Sequence, residues 1–176
     1  VQEEEVALLV PDTPPVVTTV SDVRTFWQAV GLKAVGTAVI AAEADEGPRG
    51  FLALSATHLS ADPPTMMITV DSRTSALGTL LSAGHFAINF LAVGQEEIAA
   101  PFTGKGVLQG ADRFKTATWH KLVTGAPCLD GASGVIDCRI VETIERYGSV
   151  IVIGLVEGFA ATPGTRPLIS HGGRYL

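Results

Sequence analysis

Two short stretches carry side chains whose types and spacing could do chemistry. The first is GFLALSATHLSADPP (residues 50–64), where Ser55, Thr57, His58 and Ser60 fall on or just beyond an extended segment. Strand alternation puts Phe51, Ala53, Ser55, Thr57 and Leu59 on one face, and Leu52, Leu54, Ala56 and His58 on the other. These hydroxyls can pair with backbone, as they do in many ordinary strands, or they can floor a ligand site. The second stretch is DSRTSALG (residues 71–78). One guanidinium (Arg73), two hydroxyls (Thr74 and Ser75) and the backbone N–H groups opening a helical run suit a phosphate. The plain alternative is a capped helix beside a surface arginine.

Other chemistries find no support. GKGVLQG (residues 104–110) is one residue too long for a dinucleotide fingerprint, and Ala99 stands where a phosphate-binding P-loop needs glycine. The four histidines, 58, 85, 120 and 171, lack the paired spacing of metal ligands, so no metal is expected. No G-x-S-x-G elbow is present. Asp45 and Glu46 sit in a charged loop and read as solvated surface.

Bulk properties narrow the class further. The chain has 176 residues, a length suited to one domain. It is 47% hydrophobic and 17% charged, enough for a sizeable core. So little charge also suggests apolar surface hidden in a partner, most simply an identical subunit. Net charge is −6 and the twelve basic residues are scattered, which argues against nucleic acid and anionic membrane surfaces as partners. No apolar run approaches the roughly 20 residues that span a bilayer. VQEEEVALLV begins acidic, without the basic start of a signal peptide. Cys128 and Cys138 read as buried free thiols rather than a disulfide framework, which fits a reducing cytoplasm.

The elements that must position the two stretches are mostly strands. Residues 1–20 hold prolines at 11, 14 and 15 and read as an extended arm, with the domain running from 21 to 176. Ser21 or Asp22 can cap a helix whose apolar residues Val23, Phe26, Trp27 and Val30 share one face, and Gly31 can end it. AVGTAVIAA, the GFLALSATHLS stretch itself, TMMITV and FAINFLA read as strands. So do two longer segments, VIDCRIVETIERY and SVIVIGLVEGFAA. TSALGTLLSAGHF reads as a short helix capped by Thr74 or Ser75, with Leu77, Leu80 and Leu81 buried and Gly84 as its stop. GQEEIAAPF reads as another short helix, and residues 103–133 as a long loop with helical turns. Many strands without regular β-α-β alternation predict a mainly antiparallel β-barrel with short helices at its ends, closed so that no edge is left.

Taken in order, these pieces resemble the flavin reductase-like family, across roughly residues 22–176. GFLALSATHLSADPP is similar to that family's Gly-Phe-Thr segment ending in Asp-Pro-Pro. VDSRTSALGTLLSAGHFAINFLA resembles its phosphate-binding turn, helix and Phe-x-x-Asn strand. QEEIAAPF, DRF, TWH, GAPCLDGASGVIDCRIVE, IVIGLVEG and RPLISHGGRYL follow in the same order.

The resemblance implies an FMN-binding split barrel of antiparallel Greek-key type, a homodimer, and FMN or FAD as cofactor with NADH or NADPH as hydride donor. It implies an NAD(P)H:flavin oxidoreductase supplying reduced flavin to a partner monooxygenase. Carried over by position, Leu54, Ser55 and Ala56 lie against the flavin ring, and Arg73, Thr74 and Ser75 hold the phosphate. Asn89, Phe102, Gly104, Lys105 and Tyr175 complete the implied binding set. His58 and His171 are candidates for proton transfer or nicotinamide contact. Three positions depart from the family pattern. Leu52 replaces a threonine, Leu54 a serine or asparagine, and Ser149 the histidine of Gly-Asp-His. Losing ring hydrogen bonds at about 0.5–1.5 kcal/mol each would weaken flavin binding about tenfold to hundredfold. These departures leave two alternatives: a flavin or haem carrier without turnover, and a flavin-dependent reductase of another acceptor such as a corrinoid.

Overall fold

The structure is a computed structural model that describes residues 14–176, so most of the extended arm expected over 1–20 lies outside the described residues. Residues 14–20 are exposed and form neither helix nor strand. Helix α1 (Val23–Gly31) begins where Asp22 and Thr25 cap each other. The Asp22 carboxylate accepts from the Thr25 N–H at 2.7 Å, and the Thr25 hydroxyl accepts from the Asp22 N–H at 3.1 Å. None of its residues is buried by this chain, although Phe26 and Trp27 meet edge to face at 5.4 Å.

Twelve strands follow: β1 (Val35–Gly36), β2 (Ala38–Ala44), β3 (Gly47–Ala53), β4 (Thr57–Ala61), β5 (Pro64–Asp71), β6 (His85–Phe90), β7 (Trp119–Lys121), β8 (Pro127–Leu129), β9 (Gly134–Arg146), β10 (Ser149–Ala161), β11 (Ile169–His171) and β12 (Arg174–Tyr175). Seven of them form one antiparallel sheet in the order β3-β2-β6-β9-β10-β5-β4. Its two end strands, β3 and β4, are joined by only residues 54–56, a reach from Ala53 to Thr57 of about 14 Å at most, so the sheet must curl until its edges meet. The expected barrel is present, but its closure is not. No β3–β4 ladder forms among the described residues, and the barrel keeps one unpaired seam.

Alternation along β2 explains the core. Ala38, Ile40 and Ala42 pack with Phe86 on the neighbouring β6 and with Ile68, Val70 and Val152, on strands far from β2 in the sheet order, so this cluster fills the inside of the curl. Val39 and Ala41 face the other way, against Phe102, Phe114 and Leu129. A strand buried on both faces reads as an unbroken apolar run, which AVIAA is. Gly154 sits where β10 crosses this core: a Cβ there would stand 2.8 Å from the Phe86 ring and from Cys138 Cβ. Both cysteines are buried and free, and burial pushes the Cys128 and Cys138 thiols up to about 11 and about 12.

Helices α2 (Leu77–Ala83) and α3 (Glu96–Ala99) appear at the expected places, the latter running on into a 3₁₀ turn at Ala100–Thr103. The expected cap of α2 is absent. Ala76 holds the N-cap position and makes no side-chain bond there. Leu80 is buried but Leu81 is exposed, because the inward face of this short helix runs through Thr79 and Leu80. The expected long loop at 103–133 contains a 3₁₀ turn (Gly110–Thr116) and the β7–β8 hairpin. Asp137, fully buried on β9, ties the hairpin's connecting loop down. It accepts from the Val123 and Thr124 N–H groups at 2.8 and 2.7 Å and from the Thr124 hydroxyl at 2.5 Å. No helix among the described residues is long and apolar enough to cross a membrane.

Candidate functional site at the barrel seam

Residues 50–61, expected as one strand, break into two at the seam. Leu54, Ser55 and Ala56 belong to neither β3 nor β4, and their backbone N–H and C=O groups have no protein partner among the described residues. The register of β4 on β5 pairs Thr57 with Met67, so the next rung would pair Ser55 with Thr69. That rung is made by a side chain. The Ser55 hydroxyl donates to the Thr69 carbonyl at 3.1 Å and accepts from the Thr69 N–H at 3.3 Å. The strand edge is thereby satisfied, while the main chain at 54–56 is turned loose.

Of these three residues, Ala56 packs against the inner core, while Leu54 and Ser55 border a groove of about 510 Å³ between Leu52–Ser55, the Asp71–Thr74 turn, Ser149 and α1. Phe26, Trp27 and Val30 of α1 form its apolar wall. A second cavity of about 400 Å³ shares Trp27, Val30, Leu54 and Ser55 and extends to Ser170 and His171. His171 is held there by the small sheet β1-β11-β12 and by the Gly172 N–H, which donates to Gly31 O at the end of α1 at 2.9 Å.

At the turn, Arg73 folds back on Asp71. Its Nε and Nη2 donate to the two carboxylate oxygens at 3.0 and 2.7 Å, and its backbone N–H donates to Oδ1 at 2.9 Å. These hydrogen bonds, with the guanidinium charge, hold the Asp71 carboxyl down to about 2. The pair is exposed, so the arginine rests on a weak partner that an anion can replace. Thr74 lines the groove and Ser75 lines a neighbouring cleft, so the turn separates the two spaces.

The remaining candidates divide. Asn89 does not reach the groove. It is fully buried, its amide donates to Val39 O and Pro127 O at 3.1 and 3.2 Å, and its oxygen accepts from the Leu129 N–H at 2.7 Å. Every one of those bonds ties β6 to its neighbours, and none is left for a ligand. Phe102 also borders neither cavity, being 2% exposed and packed edge-on against Phe114 and Trp119. Gly104 lines the cleft beside Ser75, while Lys105 is exposed next to it. Tyr175 is half-exposed on β12 and borders neither cavity; burial and Glu96 raise its phenol above the ordinary range. His58 points from β4 opposite Met66 and borders neither cavity. Of the two candidate histidines, only His171 shares a cavity with Ser55. Trp27 and Val30 were legible only as a helix's apolar face, and nothing in their spacing marks them as a groove wall.

Comparison with known proteins identifies the family of the chain. The chain is 32% identical to FMN reductase (NADH) RutF 2 of Methylorubrum extorquens, over 85% of this chain and 86% of that protein. It is 28% identical to the reductase subunit HsaB of a flavin-dependent monooxygenase of Mycobacterium tuberculosis, over 88% and 81%. Among solved structures, the NADH:FAD oxidoreductase SgcE6 of Streptomyces globisporus superposes with a TM-score of 0.84 at 28% identity, covering 93% of this chain and 98% of that one. Residues 31–176 match the flavin reductase like domain, and the chain belongs to that family.

Proposed function

We propose that the seam groove binds the ring of FMN or FAD, with the Arg73-Thr74-Ser75 turn on the phosphate, and that the adjoining cavity admits the nicotinamide of NADH or NADPH. The chain is an NAD(P)H:flavin oxidoreductase. The observation that carries the ring assignment is the unpartnered main chain at Leu54 and Ser55, bordering a mostly apolar groove. A flavin ring is flat and apolar on its faces and carries hydrogen-bonding atoms along its edge. Free amides in an apolar slot match that pattern.

Held by the main chain at 54 and 55 and by the Arg73-Thr74-Ser75 turn, a flavin would supply two-electron hydride chemistry, with the nicotinamide as donor. The chain orients and shields. The Ser55–Thr69 clamp fixes the seam, and Trp27 and Val30 exclude water from one side. N–H groups at 54 and 55 stabilise negative charge at the ring edge, because they are in place before that charge develops. His171 contacts the nicotinamide or holds a proton at the mouth of the second cavity. Arg73 exchanges Asp71 for the phosphate.

The same reading includes a homodimer and a monooxygenase as the recipient of reduced flavin. For the dimer, the support is α1, whose Val23, Phe26 and Trp27 stay 73%, 49% and 58% exposed in a single chain. For the recipient, it is the likeness to reductase components of monooxygenases.

Purified protein titrated with FMN or FAD and then given NADH or NADPH under argon tests the assignment. Flavin absorbance that the nucleotides bleach is the expected result. A protein that ignores both flavins overturns the site. A yellow protein that neither nucleotide bleaches points instead to a carrier.

A further inference from the structure

On the far side of the Arg73–Ser75 turn from the groove lies a polar cleft of about 620 Å³, bordered by Arg49, Ser75, Gly104, Gly110 and Arg113. Both arginines are half-buried, and among the described residues neither meets a carboxylate. Arg49 gives Nη1 to the carbonyls of Glu46 and Pro48 at 3.4 and 3.0 Å. Arg113 gives Nε to Leu108 O at 3.1 Å and Nη1 to Gly50 O at 3.3 Å. Carbonyls thus fix both guanidinium planes without neutralising them, and Nη2 of each keeps its donors unused. The chain also makes room for them. Gly110 has φ +54, and a Cβ there would stand 3.2 Å from Arg49 Cζ.

Two neighbouring carboxylates temper the charge. Asp112 is engaged by Lys115 at 2.7 Å, which leaves Glu46 at the rim. In a chain of net charge −6, two preset guanidiniums with open donors on one cleft are a site for an anion.

The position of the cleft says which anion. It lies end to end with the groove along β3: Arg49 is two residues from Phe51 on the same strand face, about 7 Å away. Thr74 borders the groove and Ser75 borders the cleft, so the two spaces meet at the phosphate turn. We infer that Arg49 and Arg113 bind a second phosphate, that of the adenylate half of a dinucleotide flavin, and that the chain therefore favours FAD over FMN. This rests on the assignment of the groove to the flavin ring. The same phosphate chemistry is found in NADH and NADPH, and the test separates the two sources.

Quenching of flavin fluorescence gives FAD and FMN affinities for the wild-type chain, Arg49→Gln, Arg49→Lys and Arg113→Gln. FAD binds the wild type about tenfold or more tighter than FMN. Arg49→Gln and Arg113→Gln bring FAD down to the FMN level while FMN affinity is unchanged, and Arg49→Lys retains part of the gain. Adenosine monophosphate alone competes with FAD and leaves FMN in place. Retained FMN binding also certifies the fold of Arg113→Gln, whose side chain braces Gly50 and Leu108. Equal affinities for the two flavins in wild type and Arg49→Gln overturn the inference while leaving the groove assignment standing. Variants that raise only the KM for NADH or NADPH, with FAD affinity unchanged, overturn it in favour of the nicotinamide dinucleotide. A wild type that binds neither flavin removes the groove assignment and this inference together.

Discussion

Asn89 and Arg73 both sit in motifs that carry flavin contacts by resemblance, yet the fold uses them oppositely. The asparagine is fully buried and spends three hydrogen bonds on Val39, Pro127 and Leu129. The arginine lies on the surface and spends its donors on a single neighbouring carboxylate. A polar group surrounded by main chain on every side holds the scaffold, because its removal leaves several buried groups unpaired. A polar group with one weak, exposed partner can change partners when a ligand arrives. What separates scaffold from site here is the environment that each side chain has already satisfied, and residue type says little about it.

The contrast can be broken by experiment, and the largest effect belongs to the asparagine. Asn89→Ala removes three buried hydrogen bonds between β6 and its neighbours, and should cost on the order of 3 kcal/mol of stability. Urea unfolding measures it. If stability instead changes by under about 1 kcal/mol while flavin affinity collapses, Asn89 touches the ligand and the contrast is wrong.

Arg73→Ala should behave in reverse. Stability stays within about 0.5 kcal/mol, FMN affinity falls about tenfold to hundredfold as charge-assisted bonds are lost, and riboflavin, lacking the phosphate, is unaffected. Asp71→Asn sharpens the point: it frees the guanidinium and should tighten FMN. Equal losses for FMN and riboflavin on Arg73→Ala would remove the turn from the phosphate.

The smallest effect returns to β6, the strand that carries Asn89. His85 opens that strand with Nδ1 buried and unpaired, and burial lowers its pKa below 6.5. Protonation therefore favours the unfolded chain. The stability that neutral His85 protects is fully present above pH 6.5 and is lost as pH falls through its folded value. Denaturant midpoints should decline modestly below pH 6.5, and His85→Gln should flatten that decline. Asp71 acts in a separate window, its contribution present above 3.8 and fading toward about 2. An unchanged slope in His85→Gln assigns the decline to other groups.

Much of the frame was legible in the chain. Alternation and turn residues located the strands, and Asp22 before Val23, Phe26, Trp27 and Val30 marked α1 with its cap. Strand pairing across the barrel was not legible as such, and neither was the break at 54–56. GFLALS alternates smoothly through the point where the ladder stops, and the cause lies fourteen residues on, at Thr69. The burial of Asn89 is not legible because a motif reports type and place but not burial, which depends on β8 arriving from forty residues away. The β7–β8 hairpin was missed because three-residue strands are too short to show a period. Nothing in the sequence marks Arg49 and Arg113, because their significance depends on the carboxylate partners they lack among the described residues.

The serine that stands in for a strand at Thr69 has a consequence for how such a site tolerates change. Its hydroxyl is wholly engaged in both directions, so what the groove has to offer at this point is peptide rather than side chain. Peptide groups are common to all residues. On the proposed reading, recognition written in them would survive leucine at 52 and 54, and would be lost only with the bend that exposes them. The vulnerable letter in this stretch is the one that never needs to touch the ligand.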